Sequence, residues 1–362
     1  MTKSEGRHLG WKEFLLSLFL IATVWASGNL FFGGGEDPRI VETEGSVQVM
    51  FTSPHARGEA QDAGGLDAAL AGAIDAAQER VDVVAYDFDL TVVAEAMIAA
   101  QQRGLDVHLV TDSYYLDEAG TVMVREAGIP VVDDIKDTLM HNKFVIIDGK
   151  EVWTGSWNLT ENGTYRNNNN VVRIESTALA QTYTDEFEEM FTHRIFSAGS
   201  SEDPPSLEVE IGGIWVESYF SPEDNIQQRL IELLEGAEQS IRFMAFTFTD
   251  TELAQALNRQ HQAGVTVQGI VETRNRNDLG SDVEALQQAG VDVQLDGNPY
   301  NMHHKVLMID DAIVVTGSYN FSRNAAEYND ENVLILHSPE IATHYLDEFE
   351  RLYAQAEEAN DD

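Results

Sequence analysis

His141, Lys143 and Asp148 spell His-x-Lys-x4-Asp, and the string returns as His303, Lys305 and Asp310. In each copy Gly-Ser-x-Asn comes after six intervening residues, as Gly155-Ser156-Trp157-Asn158 and Gly317-Ser318-Tyr319-Asn320. Six residue types at identical spacing, repeated 162 positions apart, do not arise from composition. Residues two apart on a strand share a face, so each imidazole stands beside its ammonium group while Asn142 or His304 points away. Lys143, Lys305, Asn158 and Asn320 suit the anionic oxygens of a phosphodiester, with Ser156 and Ser318 as further neutral donors. One neutral imidazole can attack phosphorus, and the other, protonated, can donate to the leaving oxygen. A phosphohistidine follows, which the second histidine hydrolyses by activating water. The lysines supply positive charge, so this chemistry calls for no metal and no cofactor. No His/Asp/Glu set has the spacing of metal ligands.

These side chains need strands and turns to hold them. Phe144-Val145-Ile146-Ile147 and Val306-Leu307-Met308-Ile309 read as buried strands, and Asp148-Gly149 and Asp310-Asp311 as turns. The returning strands deliver Gly-Ser-x-Asn beside the His-Lys pair. Upstream, Val81-Asp82-Val83-Val84-Ala85-Tyr86-Asp87-Phe88 parallels Ile241-Arg242-Phe243-Met244-Ala245-Phe246-Thr247-Phe248, each after an amphipathic segment (66–79 and 225–239). Each unit reads strand, helix, strand, helix, strand, hairpin, closed by a helix near 179–193 or 341–355. This alternation predicts an α/β class with helices over a largely parallel sheet. The expected divisions are a leader at 1–35, a first repeat at 46–196, a linker at 197–209 and a second repeat at 210–356.

The chain has 362 residues, a formal net charge of −40 and no cysteine. Disulfides, thiolate metal sites and cysteine nucleophiles are therefore excluded. Lysine occurs only at 3, 12, 136, 143, 150 and 305, so two of six lie in the motifs. Acids spread along the whole chain suit a salty medium and disfavour anionic partners at low salt. Lys3, Arg7 and Lys12 precede an apolar run from Phe14 that thins toward Phe32, which reads as a secretory signal or membrane anchor. The rest of the chain is then expected outside the cytoplasm, secreted or tethered.

The doubled His-x-Lys-x4-Asp with Gly-Ser-x-Asn resembles the phospholipase D superfamily, from about Val47 to Tyr353. The second copy, through Tyr328-Asn329-Asp330-Glu331-Asn332, is similar to the single-repeat branch of bacterial endonucleases and the mitochondrial cardiolipin hydrolase. The resemblance implies two tandem α/β/α repeats arranged as a pseudo-twofold intramolecular dimer, with no further partner subunit. It implies a histidine nucleophile and a histidine acid, by analogy His141 and His303, phosphate-holding Lys and Asn, and Asp148 and Asp310 in structural or tuning roles. Glu331 is then a supporting acid, and the first copy departs from the pattern with Asn169 at that place. The expected substrate is a phospholipid at a membrane surface. The alternatives are a metal-independent endonuclease, a phosphatidyltransferase resembling cardiolipin synthases, and a non-catalytic binding protein. A nuclease would need a basic groove, for which Arg166, Arg173, Arg274, Arg276 and Arg323 are the candidates.

Overall fold

A computed structural model describes residues 39–42, 46–54, 64–134, 138–197 and 206–361. The expected leader and residues 198–205 of the expected linker lie outside the described residues. From Leu207 the chain already forms a strand, Leu207–Ile211.

Among the described residues are two eight-stranded sheets with matching strand order. In the first, the strands Lys143–Ile147 and Arg80–Ala85 are central neighbours, and Asp106–Thr111 and Val131–Asp133 extend the sheet in parallel on one side. On the other side Glu151–Gly155, Asn170–Glu175 and Val47–Phe51 pair antiparallel. The second sheet repeats this about Lys305–Ile309 and Ser240–Ala245. The sheets are thus mixed, where a largely parallel sheet was expected. Asp148 and Asp310 adopt left-handed φ of 53° and 52° and fold the motif strands into hairpins. Valine- and isoleucine-rich strands buried on both faces give no sign of their direction. Lys143–Ile147 and Lys305–Ile309 are buried at every position.

Helices Thr91–Gln102 and Thr251–Ala263 connect the parallel strands and cover the outer faces, each over its own apolar cluster. A third cluster joins the halves, with Phe144, Tyr183 and Phe187 from one and Met308, Tyr345 and Phe349 from the other. The strands Val47–Phe51 and Ile214–Ser221 each send a phenylalanine onto the closing helix of the other half. Phe51 packs edge-on against Tyr345 at 5.0 Å and Phe220 against Tyr183 at 5.1 Å. These contacts hold the two sheets in one body, so that chain segments entering both motif strands meet across a seam.

Candidate active site

The seam is stitched by backbone bonds at the two histidines. His141 N donates to Asp330 O at 2.9 Å, and His303 N donates to Asn168 O at 2.9 Å. Each ring is then oriented by the opposite half. His141 Nδ1 lies 2.7 Å from Glu331 Oε2, and His303 Nδ1 lies 2.9 Å from Asn169 Oδ1 and 3.0 Å from Ser156 O. With Nδ1 occupied, Nε2 is left for chemistry on both rings. Both are buried, and a charge on His141 disfavours a proton on His303, so the two imidazoles share one electrostatic neighbourhood.

Lys143 Nζ donates to His141 O at 2.7 Å and Lys305 Nζ to His303 O at 2.9 Å. Aromatic rings wall both pairs. Tyr86 stands edge-on to His141 at 4.6 Å with Lys143 Nζ 4.8 Å over its face, and Phe246 does the same for His303 at 4.5 Å and Lys305 at 4.9 Å. Burial pushes the Lys143 ammonium down to about 7, although Glu331, Asp87 and Asp112 pull it up. Burial and then the Lys143 charge hold Lys305 well below the ordinary lysine range. Burial and the two lysines likewise depress both histidines. Glu331 is pushed up to about 7 by burial, opposed by Lys143 and by hydrogen bonds from Ser318 and Asn329. Four groups able to carry positive charge thus crowd around Glu331, with Asp87 and Asp112 near Lys143 alone. Such a site favours an anion that restores their protons.

Several expected residues fall elsewhere. Asp148 and Asp310 sit at the far ends of their strands, about 16 Å along from the lysines at roughly 3.3 Å per residue. Asp148 Oδ1 accepts from the backbone N–H of Gln78, Glu79 and Arg80 at 3.1, 2.7 and 3.1 Å. Asp310 repeats this with Glu238, Gln239 and Ser240. They tie the motif hairpin to the start of the neighbouring strand and do not reach the histidines. Ser156 and Ser318 are fully buried, and their hydroxyls donate to Asn169 Oδ1 at 2.9 Å and Glu331 Oε2 at 2.7 Å. Each also accepts a backbone N–H, from Asn170 at 3.1 Å and Asn332 at 2.9 Å. They brace the groups that orient the rings, which leaves no hydroxyl hydrogen for a phosphate. Asn158 and Asn320 are half-buried, and the Oδ1 of each accepts no hydrogen bond among the described residues. Gly155 and Gly317 allow the close approach that places these motifs, since a Cβ on either would lie 2.2 Å from the carbonyl oxygen of Asn170 or Asn332.

Asn169 was legible in the repeat only as a missing acid, and its contact with His303 emerges from the fold. Tyr86 and Phe246 occupy matching places in the aligned octets, where sequence reasoning saw the repeat but assigned them no part in the site. His304 is wholly buried against Asn170 at 2.9 Å and Glu348 at 3.4 Å, away from the site.

The contacts of Asp148 give a direct expectation. Burial raises the Asp148 carboxyl, but the three backbone bonds outweigh it and hold the group below its ordinary range. Asp148→Ala should lower stability to urea by about 1–2 kcal/mol and leave kcat within about twofold. The parent's advantage should be present at neutral pH and fade as pH falls through the depressed carboxylate range. A large kcat loss at unchanged stability would place Asp148 in the chemistry instead.

A family model described as "Cardiolipin synthase, PLD-like domain" matches residues 70–191 and again 230–353. The mitochondrial cardiolipin hydrolase of Homo sapiens is 35% identical over 127 residues, covering 35% of this chain and 50% of that protein. That of Chlamydomonas reinhardtii is 27% identical over 184 residues, covering 44% of this chain and 82% of that protein. A phospholipase D of Rickettsia typhi is 34% identical over 131 residues, covering 36% and 64%. The chain therefore spans only half to two thirds of the human and rickettsial relatives. Among solved structures, phosphatidylserine synthase from Haemophilus influenzae Rd KW20 matches with a TM-score of 0.60 over 86% of this chain and 87% of that one, at 14% identity, a likeness of fold.

Proposed function

The chain belongs to the phospholipase D superfamily through its two PLD-like segments, and from that premise we propose that it hydrolyses phospholipids at the headgroup phosphodiester through a phosphohistidine. The observation that carries this reading is the seam itself: two imidazoles, each fixed at Nδ1 by the other half, flanked by two buried lysines. An anionic diester entering there meets Lys143 and Lys305, with the amides of Asn158 and Asn320 within the same motif. Charge building on the phosphoryl oxygens in the transition state is stabilised by donors already in place. One imidazole attacks phosphorus while the other protonates the departing oxygen. The second then takes a proton from water, which displaces the phosphoryl group from nitrogen.

Lipid is favoured over nucleic acid by the arginines. Arg173 pairs with Glu151 at 2.5 Å and Glu175 at 2.9 Å, Arg274 with Glu272 at 3.3 Å and Arg323 with Glu327 at 2.9 Å. Three of the five arginines on which a nucleic-acid groove would depend are therefore offset by carboxylates, in a chain of net charge −40. The apolar N-terminal run supports an extracytoplasmic location, secreted or tethered beside the lipid.

The test is turnover of labelled phospholipids, single-stranded DNA and a chromogenic phosphodiester, in molar and in low salt, with EDTA present. Lipid hydrolysis that survives the chelator is expected, because the lysines supply the charge that a metal would. Cleavage of DNA without lipid turnover would make the protein a nuclease. Transfer of the phosphatidyl group to added alcohol in place of water would make it a transferase.

A further inference from the structure

Among the described residues five large hydrophobic side chains are exposed: Val92, Tyr114, Trp215, Leu279 and Tyr328. Ala85 pairs with Lys143 and Ala245 with Lys305, so the chain leaves Ala85, Thr111, Ala245 and Val271 at the end of the sheets where the histidines stand. The segments that follow carry Val92, Tyr114 and Leu279. Tyr328 comes two residues before Asp330, whose carbonyl takes the His141 N–H. Trp215 alone is set apart, paired with His337 at the opposite end. The loops of Tyr114 and Leu279 are tied to the seam in the same way. The Asp112 carboxylate accepts from Tyr114 N at 2.9 Å and from Met140 N at 3.1 Å. That of Glu272 accepts from Arg274 N at 3.0 Å and from Met302 N at 2.8 Å. Met140 and Met302 each precede a motif histidine, so one loop flanks the site from either half. Leu279 stands at the apex of a turn closed by Ser281 N on Asp278 O at 2.9 Å, with Gly280 in the left-handed region at φ 84°. A polar side chain suits such an apex, yet the leucine there is fully exposed, and Tyr114 is 71% exposed.

Building on the phospholipase reading, we propose that Tyr114, Leu279 and Tyr328 seat the mouth of the site on a zwitterionic phospholipid bilayer. These side chains suit the interfacial layer of a membrane. Leucine gives up only its contact with water, and tyrosine keeps its hydroxyl among the headgroups while its ring is buried. Matching loops from both halves suit a broad, flat partner, which both can touch while its phosphodiesters face the seam between them. Charge selects the kind of bilayer. The loop of Tyr114 carries Asp117 and Glu118 and no cation, and Asp278 and Asp282 outnumber Arg276 beside Leu279. Arg274 and Arg323 are held by Glu272 at 3.3 Å and Glu327 at 2.9 Å. An anionic bilayer is repelled by such a rim at low salt. A zwitterionic one has no net charge and sets ammonium groups outermost, where the rim carboxylates meet them.

The chain has no cysteine, so one introduced thiol takes a single environment-sensitive fluorophore. Labels on Leu279→Cys and Tyr114→Cys should shift their emission to the blue and brighten about twofold or more on phosphatidylcholine vesicles, and a label on Trp215→Cys should do neither. On phosphatidylglycerol vesicles the response should appear in molar salt and largely vanish at low salt. Tyr114→Asp combined with Leu279→Asp should raise KM on phosphatidylcholine vesicles about tenfold or more, and keep kcat/KM on a soluble nitrophenyl phosphodiester within about twofold. If that double variant fails to fold, the labels decide. Labels at 114 and 279 that stay in water on vesicles, a label at 215 that responds as strongly, or a folded double variant slowed equally on the soluble diester would overturn the proposal. So would an equal response to phosphatidylglycerol at low salt. A response that grows with protein concentration in the absence of lipid would overturn it in favour of a second copy of the chain. Labels that insert, in a protein that cleaves the soluble diester and leaves lipid intact, would support the surface and sink the phospholipase reading.

Discussion

Replacing His141 with alanine is expected to reduce the proposed phospholipid turnover by about 10⁴-fold or more, and His303→Ala by a comparable factor, with both variants folded. Each imidazole does something that no neighbouring group can take over. The lysines hold charge and are pinned to carbonyls at 2.7 and 2.9 Å, and the serines are engaged on both sides of their hydroxyls. Among the described residues Glu331 is the one carboxylate that bonds a motif imidazole, and it faces Nδ1 of His141, on the far side of the ring from Nε2. Folding should survive, because the seam bonds at these positions are made by main chain: His141 N to Asp330 O and His303 N to Asn168 O persist in alanine. The loss should also be non-additive. Once one ring is gone the other has no partner step, so the double variant should be little slower than either single one. Steady-state kcat/KM on vesicles, with thermal melts to check the fold, measures this. Either single variant retaining a tenth of the parent's activity would sink the two-histidine mechanism.

The residues that make this prediction possible were legible in different degrees. The doubled motif and the repeat of strands and helices could be read directly, because local spacing sets which side chains share a strand face. His141 beside Lys143 is such a case. Direction was harder. The hairpins at Asp148 and Asp310 turn the motif strands antiparallel, yet runs such as Phe144–Ile147 look the same whichever way they pair. Asp148 shows how a motif misleads when its letters are taken as one site. The five-residue strand Lys143–Ile147 carries it to the opposite end of the sheet, where it binds Gln78, Glu79 and Arg80. The serines show a second failure, because sequence names the donor but not the acceptor. Ser156 and Ser318 sit beside Asn158 and Asn320 in the string, but only the fold shows that their hydroxyls turn inward to Asn169 and Glu331. The contacts of Glu331 with His141 and Asn169 with His303 span 190 and 134 positions. No local pattern predicts pairing at that range, and only the repeat alignment marked these two places as inequivalent.

The buried lysines carry the other large expectation, a gain in stability obtained at the cost of rate. Lys143→Met keeps most of the side-chain volume and removes the charge, and should reduce kcat/KM by about 10²–10³-fold, the usual scale for losing one transition-state donor. The same substitution should make the protein more stable at neutral pH. A lysine in the unfolded chain titrates near ~10.4, whereas Lys143 in the folded site is held at about 7. Between these values the unfolded chain binds more protons, so the parent's stability rises with pH over this window and its penalty is greatest at and below about 7. Methionine abolishes that slope. The variant's advantage in melting temperature should therefore be largest at or below pH 7 and shrink toward pH 10. Lys305 is also held well below its ordinary range by burial, with Lys143 adding to the effect. Removing either charge should relieve the other, and the double substitution should stabilise by less than the sum of the two. A Lys143→Met protein that is slower but less stable than the parent across this range would mean that the ammonium is held by attractive partners in the empty site. The crowding of positive charge from which an anionic substrate is inferred would then be wrong.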